Sequence, residues 1–262
     1  ESARPTLVRA GGNRFSAYNW ENNASNAGSD WHHQNDGHLS ASSEPGAAVA
    51  PVLAFAQQAA RGALLTVSLQ DYVAADKAPA GDVNPGATED TSYLQARFKK
   101  NKSRKDSAFS AKPDSDDDFV YQDEFVSWAK GQAADARLLF ALDNEPDLWH
   151  YTHARIRPPV ALVTEDGESR PVGTGLTYDG LLDKNLEFAA AIKDAAPNAQ
   201  TLGYAGFGWY GFLTLTNEAE HQAKGEFLEY YLDQLKIREA GKRLVDYLDI
   251  HWYPEDRGDP AD

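Results

Sequence analysis

The stretch LLFALDNEP, residues 138–146, decides the expected fold because five apolar residues run directly into a polar turn with two carboxyl groups. An apolar run of this length, bounded by a turn, is typical of a buried strand in a parallel sheet. Pro146 has no backbone N–H to donate and therefore ends the pairing of that strand. We expect Glu145 to leave the sheet at the carboxyl end of the strand.

Four further apolar runs of the same kind lie along the chain, at residues 6–9, 64–69, 201–205 and 245–250. Segments with helical spacing of apolar residues separate the runs, at 52–59, 121–128, 182–189 and 228–235. Gly62 follows the first of these segments, where a helix C-cap belongs. Strand and helix thus alternate, which predicts an α/β fold with a parallel sheet and crossover helices.

The chain length narrows the architecture. It has 262 residues, and about 250 residues is typical of a (β/α)₈ barrel. The polar stretches 71–119 and 158–178 follow predicted strands and are long for loops. A barrel enzyme builds its active site from the loops at the carboxyl ends of its strands. We predict one domain, or part of one, with its functional residues in such loops.

The composition excludes several classes of protein. A net charge of −15 repels the phosphates of nucleic acids, whereas a neutral polysaccharide is not repelled. The mean hydropathy is −0.58, and no apolar run reaches the ~18 residues that a membrane span needs. The absence of cysteine excludes disulfides, thiolate metal sites and cysteine nucleophiles. Because methionine is also absent, we expect a processed or truncated piece of a longer chain.

Glu145, flanked by Asn144, is the sharpest candidate for catalysis. A carboxyl group at a strand end beside an amide side chain is how many barrel glycosidases hold their proton donor. Such a donor must start protonated near neutral pH, which requires a pKa raised by burial or by a second carboxylate. A plain turn is the alternative interpretation of the Asn-Glu-Pro sequence.

Two other predicted strands end in polar side chains. Strand alternation places His251 and Tyr253 on one face and Trp252 on the other, so the first two could hydrogen-bond a carboxylate or a sugar hydroxyl. Arg9 ends the first run and can orient a carboxylate through two parallel hydrogen bonds. A His–Trp–Tyr cluster at the edge of the core is the alternative interpretation.

The tryptophans are unevenly distributed: Trp128 lies on a predicted helix face, whereas the other five follow predicted strand ends. Those five are Trp20, Trp31, Trp149, Trp209 and Trp252. Flat aromatic rings stack on the apolar faces of sugars as well as packing cores. The distribution therefore favours a cleft that binds a sugar polymer at several subsites.

Other kinds of site find less support in the sequence. There is no GxSxG elbow, which argues against a serine hydrolase. The histidines do not show the HExxH spacing of zinc enzymes. Asp114, Asp116 and Asp118 alternate as at the start of a calcium loop, but the glycine and the closing glutamate are missing. A solvated acidic turn is the favoured interpretation of these aspartates.

Blocks of sequence spread along the chain resemble glycoside hydrolase family 44, in the order in which that family has them. They are Gly11–Asn13, Tyr18–Trp20, Ser25–Trp31, Asp123–Val126, Leu142–Pro146 and His251–Glu255. The family comprises retaining endo-β-1,4-glucanases and xyloglucanases built on a (β/α)₈ barrel with a small β-domain. The resemblance implies a TIM-type (β/α)₈ barrel, of which this chain carries strands two to six.

The resemblance also implies roles for the two catalytic carboxyl groups. The family's acid/base is the glutamate of Asn-Glu-Pro after strand four, which is Glu145 here. Its nucleophile is a glutamate after strand seven, and no position in this chain matches it. Residues 1–262 are accordingly expected to be a partial catalytic barrel, with the remainder of the barrel as a partner or further chain.

The remaining site residues combine the resemblance with the distribution of the aromatic residues. Asn144 is expected near the sugar 2-hydroxyl, with Arg9, His251 and Tyr253 supporting the nucleophile. The expected sugar subsites are Trp20, Trp31, Trp149, Tyr204, Trp209 and Trp252. No cofactor is required, and a structural calcium ion would be sought at Asp116, Asp118 and Glu124. We expect a secreted enzyme acting on β-glucan; a non-catalytic glycan-binding module and a scaffold without a ligand are the alternatives.

Overall fold

A parallel β-sheet lies at the centre of the protein, in a computed structural model that describes residues 5–59, 61–86 and 89–251. The strands of the described residues are β1 (Leu7–Ala10), β2 (Ser25–Asn26), β3 (Asn35–Asp36), β4 (Gly62–Val67), β5 (Tyr72–Ala74), β6 (Phe98–Lys102), β7 (Phe119–Tyr121), β8 (Arg137–Leu142), β9 (Ala161–Glu165), β10 (Glu168–Val172), β11 (Gln200–Gly206) and β12 (Tyr247–Ile250). The α-helices are α1 (Ala50–Ala59), α2 (Ser92–Arg97), α3 (Gln122–Gln132), α4 (Trp149–Thr152), α5 (Tyr178–Ala195), α6 (Trp209–Thr214), α7 (Glu218–Lys224) and α8 (Phe227–Arg238).

The central sheet has the order β1-β4-β8-β11-β12, and every neighbouring pair is parallel. These strands are the five apolar runs, so the predicted α/β fold with a parallel sheet is confirmed. Because the spatial order equals the chain order, all five carboxyl ends lie along one edge. Strand β8 is in the middle of the sheet, and the turn that follows it therefore has strand ends on both sides.

The two faces of the sheet differ in what covers them. Leu65 and Val67 face the large core, to which helices α1, α3, α5 and α8 contribute their apolar sides. On the opposite face, Leu64, Leu139 and Ala141 form a small apolar cluster of their own. This alternation follows from the two-residue period of a strand. In the described residues the sheet is open, with β1 and β12 at its edges. Closure into a barrel, and the numbering of these strands as two to six, stay predictions.

Gly62 corrects the expectation of a helix cap. Helix α1 ends at Ala59, and Gly62 is already the first residue of β4, where it pairs with Leu7. A Cβ atom at Gly62 would lie 2.7 Å from Leu7 Cδ1, the end of an exposed side chain that can move aside. The helix was predicted correctly from the spacing of its apolar residues, but Gly62 belongs to strand β4.

The two long polar stretches contain more structure than expected. The stretch 71–119 contains α2, β5 and β6 and ends at the start of β7, which completes the three-stranded sheet β5-β6-β7. The stretch 158–178 contains the antiparallel hairpin β9–β10. Within the first stretch, Lys105 Nζ forms an ion pair with Glu124 Oε1 at 2.6 Å, and Arg104 Nη2 forms one with Asp194 Oδ2 at 2.7 Å. Both stretches follow strands of the central sheet, on the side of its carboxyl ends. In the part of the chain that the structure describes, no helix has the length and apolarity to cross a membrane.

Candidate active site

The turn after β8 is built around the buried carboxyl group of Asp143. Its oxygens accept hydrogen bonds from Leu69 N at 2.5 Å, Asn144 N at 2.7 Å and the hydroxyl of Ser16. Burial raises the pKa of Asp143 to about 6, although these hydrogen bonds favour the ionised form. Asp143 has a φ of 70°, which Asp tolerates better than most residues. The carboxylate thus holds the backbone in the conformation that turns Glu145 out of the sheet.

Glu145 lies at the middle of the carboxyl edge, as the sequence predicts. Its backbone N donates to Ala205 O at 2.7 Å, and His251 N donates to Gly206 O at 3.1 Å, so the end of β11 holds both residues. The two side chains meet there, with His251 Nδ1 2.7 Å from Glu145 Oε1. The carboxyl group is 17% exposed and the imidazole 10%, which leaves the pair accessible from the edge.

Asn144 and Arg9 form a second contact at this edge. Arg9, at the end of β1, donates from Nη2 to Asn144 Oδ1 at 3.1 Å. The contact fixes the orientation of the amide, and therefore which of its atoms can donate to a ligand. The buried Trp149 also holds Asn144, because its Nε1 donates to the Asn144 carbonyl at 3.0 Å. The structure thus brings together five predicted site residues: Arg9, Asn144, Glu145, Trp149 and His251.

Asp147 is a further carboxyl group at the site that sequence reasoning missed. It is almost completely buried, and both of its oxygens accept from Phe207 N, at 3.0 and 3.3 Å. Burial, followed by the nearby charge of Glu145, raises the pKa of Asp147 to about 6. Its carbonyl accepts from Thr216 Oγ1 at 2.8 Å. Asp147 therefore fastens the loop after β11 to the turn that carries Glu145.

The Asp147→Asn variant is expected to gain stability, relative to the parent protein, as the pH rises. A folded-state pKa near 6 against an ordinary 3.8 means that the fold holds the proton more tightly, so ionisation of Asp147 weakens the fold between about pH 4 and pH 6. Asn cannot ionise and escapes this loss, which amounts to roughly 2–3 kcal/mol. Urea denaturation of both proteins at pH 4 and pH 7 measures the difference. A pH-independent difference, like that expected for the exposed Asp233→Asn control, would contradict the assignment.

The predicted aromatic subsites divide into buried and exposed rings. Trp20, Trp149 and Tyr204 have no exposed surface. This corrects the expectation that they stack on sugars, because protein covers their faces: Trp20 packs on Phe125, and Tyr204 packs on Phe227. Trp20 and Trp149 follow strand ends and Tyr204 lies within β11, but all three rings turn inwards. No local pattern distinguishes rings that turn inwards from rings that face solvent.

Two of the predicted rings are open to solvent. Trp31 is 56% exposed and Trp209 is 71% exposed, and both follow carboxyl ends of the central sheet. Tyr210 and Phe207 are exposed beside Trp209, and the sequence analysis did not single them out. The sequence signal that could have identified Phe207 and Tyr210 is their position directly after β11. Trp252 and Tyr253 lie outside the described residues.

The expected calcium ligands are not assembled as a cluster. Glu124 is buried, and its Oε1 accepts from Lys105 Nζ at 2.6 Å and from Ser110 N at 2.7 Å. Asp116 N instead donates to Asp114 Oδ1 at 3.1 Å, in a local turn. Over residues 5–59, 61–86 and 89–251, no group of three or more His, Asp or Glu side chains is placed to hold a metal ion. The ammonium group of Lys105 thus lies at the Glu124 carboxylate, where the calcium ion was expected.

Known proteins resemble this chain over most of its length. The model of glycoside hydrolase family 44 matches residues 24–256. The beta-mannanase/endoglucanase A of Caldicellulosiruptor saccharolyticus is 36% identical over 270 residues, which cover 95% of this chain and 19% of that protein. A family 44 endoglucanase from Clostridium thermocellum superimposes with a TM-score of 0.80 and 34% identity, and the match covers 97% of this chain and 50% of the endoglucanase chain. For a family 44 xyloglucanase from Paenibacillus polymyxa the TM-score is 0.79 at 32% identity, and the match covers 94% of this chain and 48% of the xyloglucanase chain.

The chain therefore spans about half the length of these solved relatives. The family match extends from the loop after β1 past β12 and includes Glu145 and His251. The resemblance stated from the sequence blocks is confirmed by these matches. On the extent of the family match and on the shared fold, this chain belongs to glycoside hydrolase family 44.

Proposed function

We propose that the protein is a retaining glycoside hydrolase that cleaves internal β-1,4-glucosidic bonds of cellulose-type glucans or xyloglucan. The observation that carries this proposal is the Glu145 carboxyl group at the centre of the carboxyl edge, in contact with His251 and next to the Arg9-bound Asn144. Relatives named endoglucanase and xyloglucanase support the class of substrate. The substrate is a neutral polymer, which an acidic protein surface does not repel.

Glu145 acts as the general acid and then as the general base. In the first step it protonates the leaving glycosidic oxygen, and in the second it takes a proton from the water that resolves the glycosyl-enzyme intermediate. His251 donates from Nδ1 to Oε1 in this scheme, which leaves Oε2 to carry the transferred proton. The amide of Asn144 is positioned by Arg9 to hydrogen-bond the sugar near its 2-hydroxyl, where contacts strengthen in the transition state.

The second carboxyl group of the reaction belongs to a larger barrel in this proposal. A retaining mechanism needs a nucleophile about 5–5.5 Å from the acid/base. We place that nucleophile outside residues 1–262, which form a partial (β/α)₈ catalytic barrel carrying strands two to six. Solved relatives about twice as long as this chain support this division. Arg9 and His251, at the carboxyl edge, are proposed to support the nucleophile together with Tyr253.

The exposed aromatic rings provide the polymer with places to stack. Trp31 and Trp209 are proposed as sugar subsites, together with Trp252, whereas Trp20, Trp149 and Tyr204 support the site from within the core. No cofactor takes part in this chemistry. Because a β-glucan polymer is too large to enter a cell, the enzyme is proposed to be secreted.

A product assay beside a binding assay tests the proposed function. The full-length protein, which includes the part of the barrel proposed to lie outside residues 1–262, is incubated with xyloglucan and with carboxymethylcellulose, and new reducing ends are measured. The same protein is run in native gels that contain each polymer. Release of reducing ends together with retardation in the gel is the expected result. Retardation without any product would contradict the enzyme and favour a glycan-binding module.

A further inference from the structure

A cavity of about 670 Å³ lies at the carboxyl edge of the sheet, and its walls do not include Glu145. It opens between the loop after β1, helix α4 and the hairpin β9–β10. Its walls include Ser29, His32, His33, Tyr151, Glu165 and Arg170. Helix α4 and Glu145 both belong to the segment that follows β8, so this segment contributes to the cavity and to the candidate active site. Its volume lies within the ~300–1,000 Å³ that is usual for ligand sites.

The walls of the cavity are held together by backbone contacts. Gly28 has a φ of 57°, and a Cβ atom there would lie 2.1 Å from Thr152 O, so a glycine is needed for the loop after β1 to approach α4. On the other side, Gly173 N donates to His150 O at 2.8 Å and ties the end of the hairpin to α4. The three segments thus form a cavity that is already present without a ligand.

Aromatic rings and hydrogen-bonding groups line the cavity together. The ring of Tyr151, which lines the cavity, is 46% exposed. His32 in the opposite wall contacts the ring of Trp31, which lies outside the cavity walls, with 4.9 Å between the ring centroids. His33 is only 8% exposed, and burial lowers its pKa to about 4, so its imidazole is neutral at pH 7. Among the described residues, His33 Nδ1 has no hydrogen-bond partner. The imidazole therefore has hydrogen-bonding capacity that the fold leaves unused.

The charges of the walls disfavour an anionic ligand. Arg170 is paired with Glu168, with Nη2 3.1 Å from Oε2, and Glu165 adds a second carboxylate. With two carboxylates against one guanidinium, a phosphate or a uronate would meet net repulsion. Neutral hydroxyl groups suit such walls, because carboxylates accept from them and the guanidinium donates to them. Aromatic rings beside these groups match the two kinds of surface that a sugar presents.

We infer that this cavity is a second glycan-binding site, which holds a neutral β-linked glucan segment away from the bond that Glu145 cleaves. The inference rests on the proposed function, because it gives the same polymer a second point of attachment. A glucan long enough to occupy both sites gains affinity from the linkage, whereas a disaccharide does not. The exposed ring of Tyr151 is the principal stacking surface of this site.

Binding measurements on the full-length protein test the inference. The Glu145→Gln variant serves as the background so that the probes stay intact, and calorimetry measures its affinity for cellohexaose and for cellobiose. Adding Tyr151→Ala is expected to weaken cellohexaose roughly 3- to 10-fold, the size of one aromatic contact. The ratio of the two affinities should fall accordingly, and Tyr151→Phe should restore it. The control is Phe109→Ala, which removes an exposed ring elsewhere and should leave the ratio unchanged.

The two possible failures are distinguishable. An unchanged cellohexaose affinity in the Tyr151→Ala protein overturns the second site, and so does an equal loss for both probes, which would indicate a merely structural role. Hydrolysis of glucan that persists in the Glu145→Gln background would instead contradict the proposed catalytic role of Glu145. That result concerns product formation, and the dependence of binding on Tyr151 is judged separately from it.

Discussion

Replacing Glu145 by Gln is expected to lower the hydrolysis of xyloglucan and cellulose-type glucans by roughly 10²- to 10⁴-fold, the usual contribution of a general acid. Gln has the shape of Glu but cannot deliver a proton to the leaving oxygen. Its side-chain oxygen can still accept from His251 Nδ1, which lies 2.7 Å from Oε1 in the parent protein. Affinity for the uncleaved polymer should therefore change little, and gel retardation together with reducing-end release measures both quantities.

A matched control separates loss of the acid from loss of a negative charge. Glu229 is exposed in the first turn of helix α8, and Glu229→Gln should retain full turnover. The loss of activity in Glu145→Gln should be smaller for substrates with a good leaving group, because such a group needs less protonation to depart. Equal turnover by the parent protein and Glu145→Gln would show that another group supplies the proton.

Asp143→Ala is expected to destabilise the protein by roughly 3–5 kcal/mol, since each buried donor left without an acceptor costs about 1–3 kcal/mol. The substitution removes the acceptor of Leu69 N, Asn144 N and the Ser16 hydroxyl at once. It also places an Ala at a φ of 70°, which costs more for Ala than for Asp. Urea denaturation followed by circular dichroism measures the loss.

Two further variants define what the Asp143 result means. Asp143→Asn retains one side-chain oxygen and the tolerance for positive φ, and should recover part of the lost stability. Asp233→Ala removes an exposed carboxylate from helix α8 and should stay within about 0.5 kcal/mol of the parent. A stable Asp143→Ala protein would mean that the turn after β8 is held by something other than this carboxylate.

Local patterns were sufficient to predict the sheet and its helices. The five apolar runs became the five parallel strands because each is long enough to be buried and is bounded by a turn. The position of Glu145 at the carboxyl edge followed from the same pattern. The sequence analysis expected His251 to hydrogen-bond a carboxylate and, from the resemblance, to support the nucleophile. Its contact with Glu145, 106 residues away in the chain, joins the ends of β8 and β12, which lie at the same edge of the sheet but have β11 between them.

Direction of side chains and long-range packing could not be predicted in the same way. Trp149 and Trp209 both follow strand ends, yet Trp149 turns into the core beneath Asn144 and Trp209 faces solvent. Asp143 and Asp147 looked like ordinary turn residues, because their importance lies in partners such as Leu69 and Phe207, far away in sequence. Burial of a polar group depends on the whole fold, whereas its residue type is local.

The central claim, that Glu145 is the acid/base, is tested most directly by azide rescue of Glu145→Ala. The variant is assayed with an aryl β-cellobioside that has a good leaving group, with and without sodium azide. Without a general base, the glycosyl-enzyme intermediate accumulates, and azide can attack it in the space that the missing carboxyl group leaves. The account predicts a rate that rises with azide and a β-glycosyl azide as the product. An α-glycosyl azide would make Glu145 the nucleophile, and a rate that azide does not change would contradict its role as acid/base.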